Sequence, residues 1–262
     1  MDITIVIPAR YHSRRLPGKP LLDIRGTSLL ERVWRIAGAV DGVSAVYIAT
    51  DDRRIADHAA GFGGAALMTS AELATGTDRV RAALALMERR PDAVINLQGD
   101  AVLTPPWVVQ ALVDEFQADP AVGMVTAAVQ CSWRQLAEIE AQKAQSPASG
   151  TLVTVDRFGR ALYFSKAIIP YLRNRDFTVP PVLRHIGIYG YACDLLDRLA
   201  DLPPSPLERA EQLEQLRALE NGIPITVALV DYRGRTHGSV DSREDIALVE
   251  SIIDREGELV LK

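Results

Sequence analysis

The sequence predicts an α/β protein with a mixed, mostly parallel sheet flanked by helices and a smaller β-rich lobe. Three observations predict it. Short apolar, β-branched runs alternate with stretches of helical apolar spacing through the first half. Most of the clearest runs end in polar residues. After about Ser132 the rhythm changes to strands separated by turns. Strand–helix alternation at these lengths needs parallel neighbours with crossover helices on the faces.

Taken in order, residues 3–7 read as a buried strand ended by Pro8, followed by a polar, basic loop over 9–19. Residues 28–36 have helical spacing with Thr27 or Ser28 as cap, and 43–49 form a second strand ending at Thr50-Asp51-Asp52. A helix over 53–60, a strand over 65–68, a helix over 78–89 and a strand over 93–97 follow, the last ending at Gln98-Gly99-Asp100. A helix over 107–116 and a strand over 122–129 close the first half. Residues 141–150 read as a helix end and loop. Strands over 151–155 and 161–165 pair around a turn at 156–159, and a further strand covers 185–191. A helix over 206–219, a strand over 225–230 and a helix over 243–254 complete the chain. Arg10, Asp51 and Asp100 sit at strand ends, where sheets of this kind bind ligands.

Composition narrows the function. The 262 residues suffice for one large domain and need no staple. A net charge of −5 argues against a protein that coats nucleic acid. Two cysteines in unrelated contexts argue against a secreted disulfide framework and against a structural zinc site. The apolar N-terminus lacks a basic segment before it and a small-residue cleavage site after it, so it does not read as a signal peptide. No apolar run reaches the length of a membrane span, and the expected location is the cytoplasm.

The most informative stretch runs from Pro8 to Pro20 and holds Arg10, Arg14, Arg15 and Lys19. Pro17 and Pro20 stiffen it, and Gly18 permits close backbone approach. Such a density of guanidinium and ammonium groups suits a triphosphate, although solvated basic loops are common. The loop is neither a Walker loop nor a Gly-x-Gly-x-x-Gly turn, which weakens ATPase, kinase and dehydrogenase readings. Asp100 and Asp241 could together hold Mg²⁺ with phosphate oxygens and water. Each alone could equally be a helix cap. His185 lies in an apolar strand, where a satisfied core histidine is the commoner case. Glu211 shares a helix face with Glu214 or Gln215, a face that is usually just solvated. Asp51-Asp52 reads as a cap for the next helix rather than a ligand contact.

Together the segments resemble the CMP-Kdo synthetases (3-deoxy-manno-octulosonate cytidylyltransferases) over most of the chain. The resemblance is carried, in order, by Pro8-Ala9-Arg10-Tyr11, Arg15-Leu16-Pro17-Gly18-Lys19-Pro20, Ala49-Thr50-Asp51 and Thr75-Gly76-Thr77-Asp78-Arg79. It continues through Gln98-Gly99-Asp100, Ala161-Leu162-Tyr163-Phe164-Ser165, His185-Ile186-Gly187-Ile188-Tyr189 and Leu213-Glu214-Gln215-Leu216-Arg217. It implies a Rossmann-like nucleotidyltransferase fold in one domain, 1–262. Residues 1–130 would be the nucleotide half and 131–262 the acceptor and dimerisation half. It also implies CTP, Mg²⁺, a small acidic acceptor and a cytoplasmic homodimer. Arg10, Arg15 and Lys19 would bind the CTP phosphates, and Thr75, Gly76, Thr77 and Arg79 would lie near the cytidine. Asp100 and Asp241 would hold the metal. Gln98 would serve both substrates, and Arg173, His185, Tyr189, Glu214 and Gln215 would face the acceptor. Lys19, Asp100 and Asp241 would carry the chemistry.

The sequence also departs from the pattern. Ala101-Val102 stands where the family usually has Glu-Pro, Leu152 where it has Lys, and Ser70, Glu72 and Leu73 where it has a basic residue and Asp-His. The acceptor is therefore open between a Kdo-like 3-deoxy-2-keto sugar acid and a phosphonate such as phosphonoformate. The competing readings are a nucleotide-binding homologue without activity and a sugar-phosphate nucleotidyltransferase using another NTP.

Overall fold

Strand β1 (Ile3–Ala9) is buried along most of its length because it sits inside the sheet with a partner on each edge. The computed structural model describes residues 1–12, 16–240 and 242–260. From β1 the chain passes through a 3-10 turn (Lys19–Leu21) and two short paired strands, β2 (Asp23–Ile24) and β3 (Thr27–Ser28), into α1 (Leu29–Gly38). The cap of α1 is Ser28, whose Oγ accepts the Glu31 N–H at 3.1 Å. Then come β4 (Ala45–Thr50), α2 (Arg53–Gly61), β5 (Ala65–Met68), α3 (Gly76–Leu84), β6 (Ala93–Asn96), α4 (Pro106–Ala118) and β7 (Met124–Gln130). The second half holds α5 (Trp133–Gln145), β8 (Leu152–Val155), β9 (Ala161–Ser165), β10 (Leu183–Ala192), α6 (Cys193–Ala200), α7 (Pro206–Glu211), α8 (Gln215–Glu220), β11 (Thr226–Leu229) and α9 (Arg243–Glu256).

The sheet runs β11-β7-β10-β6-β1-β4-β5. β1 is parallel to β4 and β6, β5 to β4, and β11 to β7, while β10 is antiparallel to both its neighbours. The mixed, mostly parallel sheet is thus as expected. The β-rich part is the hairpin β8–β9, which joins the main sheet where Leu183 and Arg184 of β10 pair with Val153 and Leu152.

Alternation along the strands divides the core. Ile3, Ile5 and Ile7 pack with α1 and α4 on one face, and Val6 packs with α3, α6 and α8 on the other. Gly190 of β10 shows how closely α4 lies on the sheet. An added Cβ there would stand 2.5 Å from Cε2 of Phe116.

Several elements differ from the sequence reading: β2 and β3 were not expected, and α5 runs from Trp133 where only a helix end over 141–150 was read. β1 continues through Pro8 to Ala9, because its ladder to β6 ends at Val6 and the missing N–H breaks no bond there. α3 starts at Gly76 and ends at Leu84, its start set by a capping box between Thr75 and Asp78. The helix expected over 206–219 is two short helices, broken at Gln212, which adopts the left-handed conformation (φ 55°). Helix α6, directly after β10, had no expected counterpart.

Candidate active site

The carboxyl ends of β1 and β6, the start of the 3-10 turn and the start of α3 enclose a cavity of about 420 Å³. Its walls include Arg10, Lys19, Thr75, Gly76, Arg79, Gln98 and Asp100. Backbone geometry brings them together. Gly99 crosses so close to the end of β1 that a Cβ there would lie 2.7 Å from the Pro8 carbonyl oxygen. Gly18, at φ 72°, turns the chain so that Lys19 faces the cavity, and its N–H is held by the Tyr11 carbonyl at 2.9 Å.

Lys19 Nζ donates to Asp100 Oδ2 at 2.7 Å. Arg79 is 3% exposed. Its guanidinium donates to Thr69 Oγ1 at 2.6 Å and lies 3.3 Å from Asp51 Oδ1. Burial pulls the Arg79 pKa down, with Asp51 opposing and Arg10 adding to that pull. The two adjacent aspartates therefore separate: Asp52 caps α2 through the Arg54 N–H at 2.9 Å, and Asp51 faces Arg79. Arg10 is exposed on the wall. The Gln98 amide donates to Asn96 Oδ1 at 2.9 Å. The first turn of α3, with Thr75 as cap and Gly76 at the wall, points free amides and the positive end of its dipole at the cavity.

Thr77 turns away from that wall and donates to Glu214 Oε2 at 3.1 Å, tying α3 to the start of α8. Burial raises the Glu214 carboxyl above the ordinary range. Gln215 is buried, with its Nε2 unpartnered. On β10, the His185 ring lies against Tyr189 (centroids 5.4 Å) and edge-on to Phe164 (5.1 Å). Thr126 donates to the Ile188 carbonyl at 2.8 Å, so His185 Nε2 is the donor to Thr126 Oγ1 at 3.0 Å. His185 is thus both a satisfied core histidine and a neighbour of the acceptor-side candidates.

Burial, with Lys166 and His237 adding, pushes His185 down to about 3. An unfolded chain carries a histidine of pKa about 6.5. Between these values the unfolded state binds a proton that the folded state refuses. Stability therefore falls as pH drops below about 6.5, by up to about 1.4 kcal/mol per pH unit. His185→Gln is expected to flatten the loss of melting temperature between pH 6.5 and 5, with His237 carrying part of the remaining slope. Parallel curves for variant and wild type would show that His185 does not sense that range.

The face expected for Glu211 with Glu214 or Gln215 does not form, because the chain breaks at Gln212. Glu211 instead accepts from Ser165 Oγ at 2.6 Å and the Lys166 N–H at 2.8 Å, while Glu214 meets Thr77. Arg173 is exposed on the segment between β9 and β10 and does not line this cavity. Arg15 and Asp241 lie outside the described residues. Sequence reasoning missed Lys166, whose Nζ donates to Thr151 Oγ1 at 3.0 Å and whose charge reaches His185. Its signal was its place directly after the Tyr163-Phe164-Ser165 segment.

A basic cavity at the carboxyl ends of parallel strands, floored by a helix N-terminus, defines a nucleotide-binding α/β protein. The cytidylyltransferase family model matches residues 4–227, and the chain belongs to the cytidylyltransferase family. It is 50% identical over 260 residues to the 3-deoxy-manno-octulosonate cytidylyltransferase of Maricaulis maris, covering 99% of this chain and 100% of that one. It is 40% identical to the 8-amino-3,8-dideoxy-manno-octulosonate cytidylyltransferase of Shewanella piezotolerans, covering 96% and 98%. A solved structure of CMP:2-keto-3-deoxy-manno-octonic acid synthetase complexed with CTP superimposes with a TM-score of 0.87 at 38% identity, covering 98% of this chain and all of that one. The protein is a CMP-Kdo synthetase-like cytidylyltransferase, as the resemblance implied. No helix among the described residues is long and apolar enough to cross a membrane.

Proposed function

We propose that this protein transfers CMP from CTP to the anomeric hydroxyl of a Kdo-like 3-deoxy-2-keto sugar acid and releases diphosphate. The observation that carries the reading is the cavity where Arg10, Lys19, Gln98 and Asp100 converge, joined through Thr77 and Glu214 to the α8 start. The acceptor oxygen attacks the α-phosphorus, the bond to the β-phosphate oxygen breaks, and diphosphate leaves with that electron pair. Arg10 and Lys19 bind and neutralise the phosphates, and the α3 amides orient them. Gln98 sits at the border of the two substrates. Glu214, raised by burial, suits the acceptance of the hydroxyl proton. Lys166, set by Thr151 and close to His185, supplies a cation for the acceptor carboxylate.

Mg²⁺ fits this cavity. No group of three or more metal-ligating side chains occurs among the described residues. Mg²⁺ needs only one or two carboxylates beside phosphate oxygens and water, and Asp100 offers one at the cavity wall. Asp100 would hold the ion, with Asp241 proposed as its second carboxylate. When bound, the ion supplies charge neutralisation on the phosphates. A cytoplasmic homodimer belongs to the same reading.

The departures from the family pattern do not demand a phosphonate. Ala101, Val102 and Leu152 are buried in apolar clusters, and Lys166 brings a cation beside Thr151, next to Leu152. The two relatives and the solved structure described above carry names that specify octulosonate-type acids. The test is diphosphate release with Mg²⁺ and each nucleoside triphosphate, paired in turn with Kdo, its 8-amino analogue and phosphonoformate. The expected result is turnover with CTP and Kdo. Turnover with phosphonoformate alone would replace the acceptor, a preference for another NTP would replace the donor, and no turnover with any pair would leave a binding protein.

A further inference from the structure

A second cleft, of about 560 Å³, lies beside α5 and shares no lining residue with the nucleotide cavity among the described residues. It is built from the end of β7, the inner face of α5, the start of β10 and the segment after β11. Arg184 and His185 are adjacent in β10, so their side chains leave opposite faces of the sheet. The cleft is on the Arg184 side.

Its polar lining is cationic on a chain whose net charge is −5. Among the described residues, Arg134, Arg184 and Arg235 line it against a single carboxylate, Glu138. That carboxylate is already engaged by Arg134 at 3.0 Å, and Arg235 donates to the Gly257 carbonyl. Arg184 has no ion pair and no side-chain hydrogen bond among the described residues, yet it is half-buried. A guanidinium taken partly out of water with no acceptor is an uncompensated cost.

Further groups in the cleft are left in the same condition. His237 Nδ1 is buried without a hydrogen-bond partner among the described residues. The Tyr232 hydroxyl, on a side chain 5% exposed, lies towards Thr104 but makes no aligned hydrogen bond. The Gln142 amide, exposed where α5 lines the cleft, has no protein partner among the described residues and is open to a ligand. Buried polar groups in a folded protein are normally paired. Here buried His237 Nδ1 stands unpaired beside the half-buried Arg184 guanidinium, in a cationic hollow suited to an anion.

We infer that this cleft is a second oxyanion site, taking a small phosphate or carboxylate ligand on Arg184, Gln142 and His237. Arg184 supplies the charge and a planar fork of donors. Gln142 and His237 complete the shell. The ligand is distinct from the nucleotide, whose cavity has its own cations.

The test is calorimetric titration of the full chain at low ionic strength, with inorganic phosphate in one arm and gluconate in the other. One of the two is expected to bind a class of sites that Arg184→Met weakens at least tenfold, with CTP affinity kept within twofold. Phosphate binding identifies the ligand as a phosphate, and gluconate binding as a carboxylate. Gln142→Ala, on the surface of a helix, should weaken the same sites severalfold, and it serves as the probe if Arg184→Met does not fold. Absence of binding at millimolar concentration in both arms would overturn the inference. So would equal affinity in wild type and the folded variants, or a loss in Lys19→Ala instead, which would assign the binding to the nucleotide cavity.

Discussion

Asp100→Asn is expected to lower turnover about a hundredfold or more while leaving the fold in place. Asparagine has the same shape, so the Gln98-Gly99-Asp100 turn beside the Pro8 carbonyl keeps its geometry. What disappears is the negative charge 2.7 Å from Lys19. That charge lets a wall whose Arg10 and Lys19 attract phosphate also hold a hard cation. An amide oxygen is a far poorer ligand for Mg²⁺ than a carboxylate. The stability cost is small, because the pair is partly exposed (13% and 31%) and screened. A contribution below about 1 kcal/mol moves the melting temperature by no more than about 4 °C. Diphosphate release at millimolar Mg²⁺, measured beside thermal unfolding, reads both. A variant within twofold of wild type in turnover would remove Asp100 from the chemistry.

The parts of this protein that could be read from its sequence are those set by local rules. β1, β4, β6 and β7 are short apolar runs, and a buried parallel strand needs nothing more. Lys19 and Asp100 were legible because each follows a strand whose carboxyl end faces the site. Thr75 and Asp78 spell a capping box, although the helix they start was placed two residues late. The rest depends on contacts distant in sequence. Nothing local predicts that Gln212 adopts a left-handed conformation, since no glycine marks it. The break follows from Glu211 being held by Ser165 and Lys166 across some 45 residues. Arg79 reads as a cation near the nucleotide, and its burial against Asp51 and Thr69 appears only in three dimensions. The second cleft draws on three separate stretches, 129–142, 184–186 and 232–237, so no window of sequence contains it. Ala101 and Leu152 looked like lost polar groups, but the structure shows them as packed core.

Lys19→Ala is expected to reduce kcat/KM for CTP about tenfold or more, mainly by raising KM. The neighbouring cations cannot replace it. Arg79 is buried and held by Asp51 and Thr69, and Arg10 is exposed to solvent on the wall, where its charge is screened. The ammonium of Lys19 is placed by the backbone: Gly18 turns the chain, and buried Pro20 anchors the 3-10 turn behind it. Lys19→Arg keeps the charge but spreads it over a wider planar group, so it should recover only part of the loss. Lys19 also pairs with Asp100, and the two losses should therefore not add. In a double-mutant cycle with Asp100→Asn, a coupling of about 1 kcal/mol or more is expected, read from kcat/KM. Salt supplies an independent check. The KM for CTP should rise with ionic strength more steeply in wild type than in Lys19→Ala, because one of the screened charges is gone. Unchanged kcat/KM and an unchanged salt slope would make the loop from Pro8 to Pro20 a solvated basic turn with no hold on phosphate.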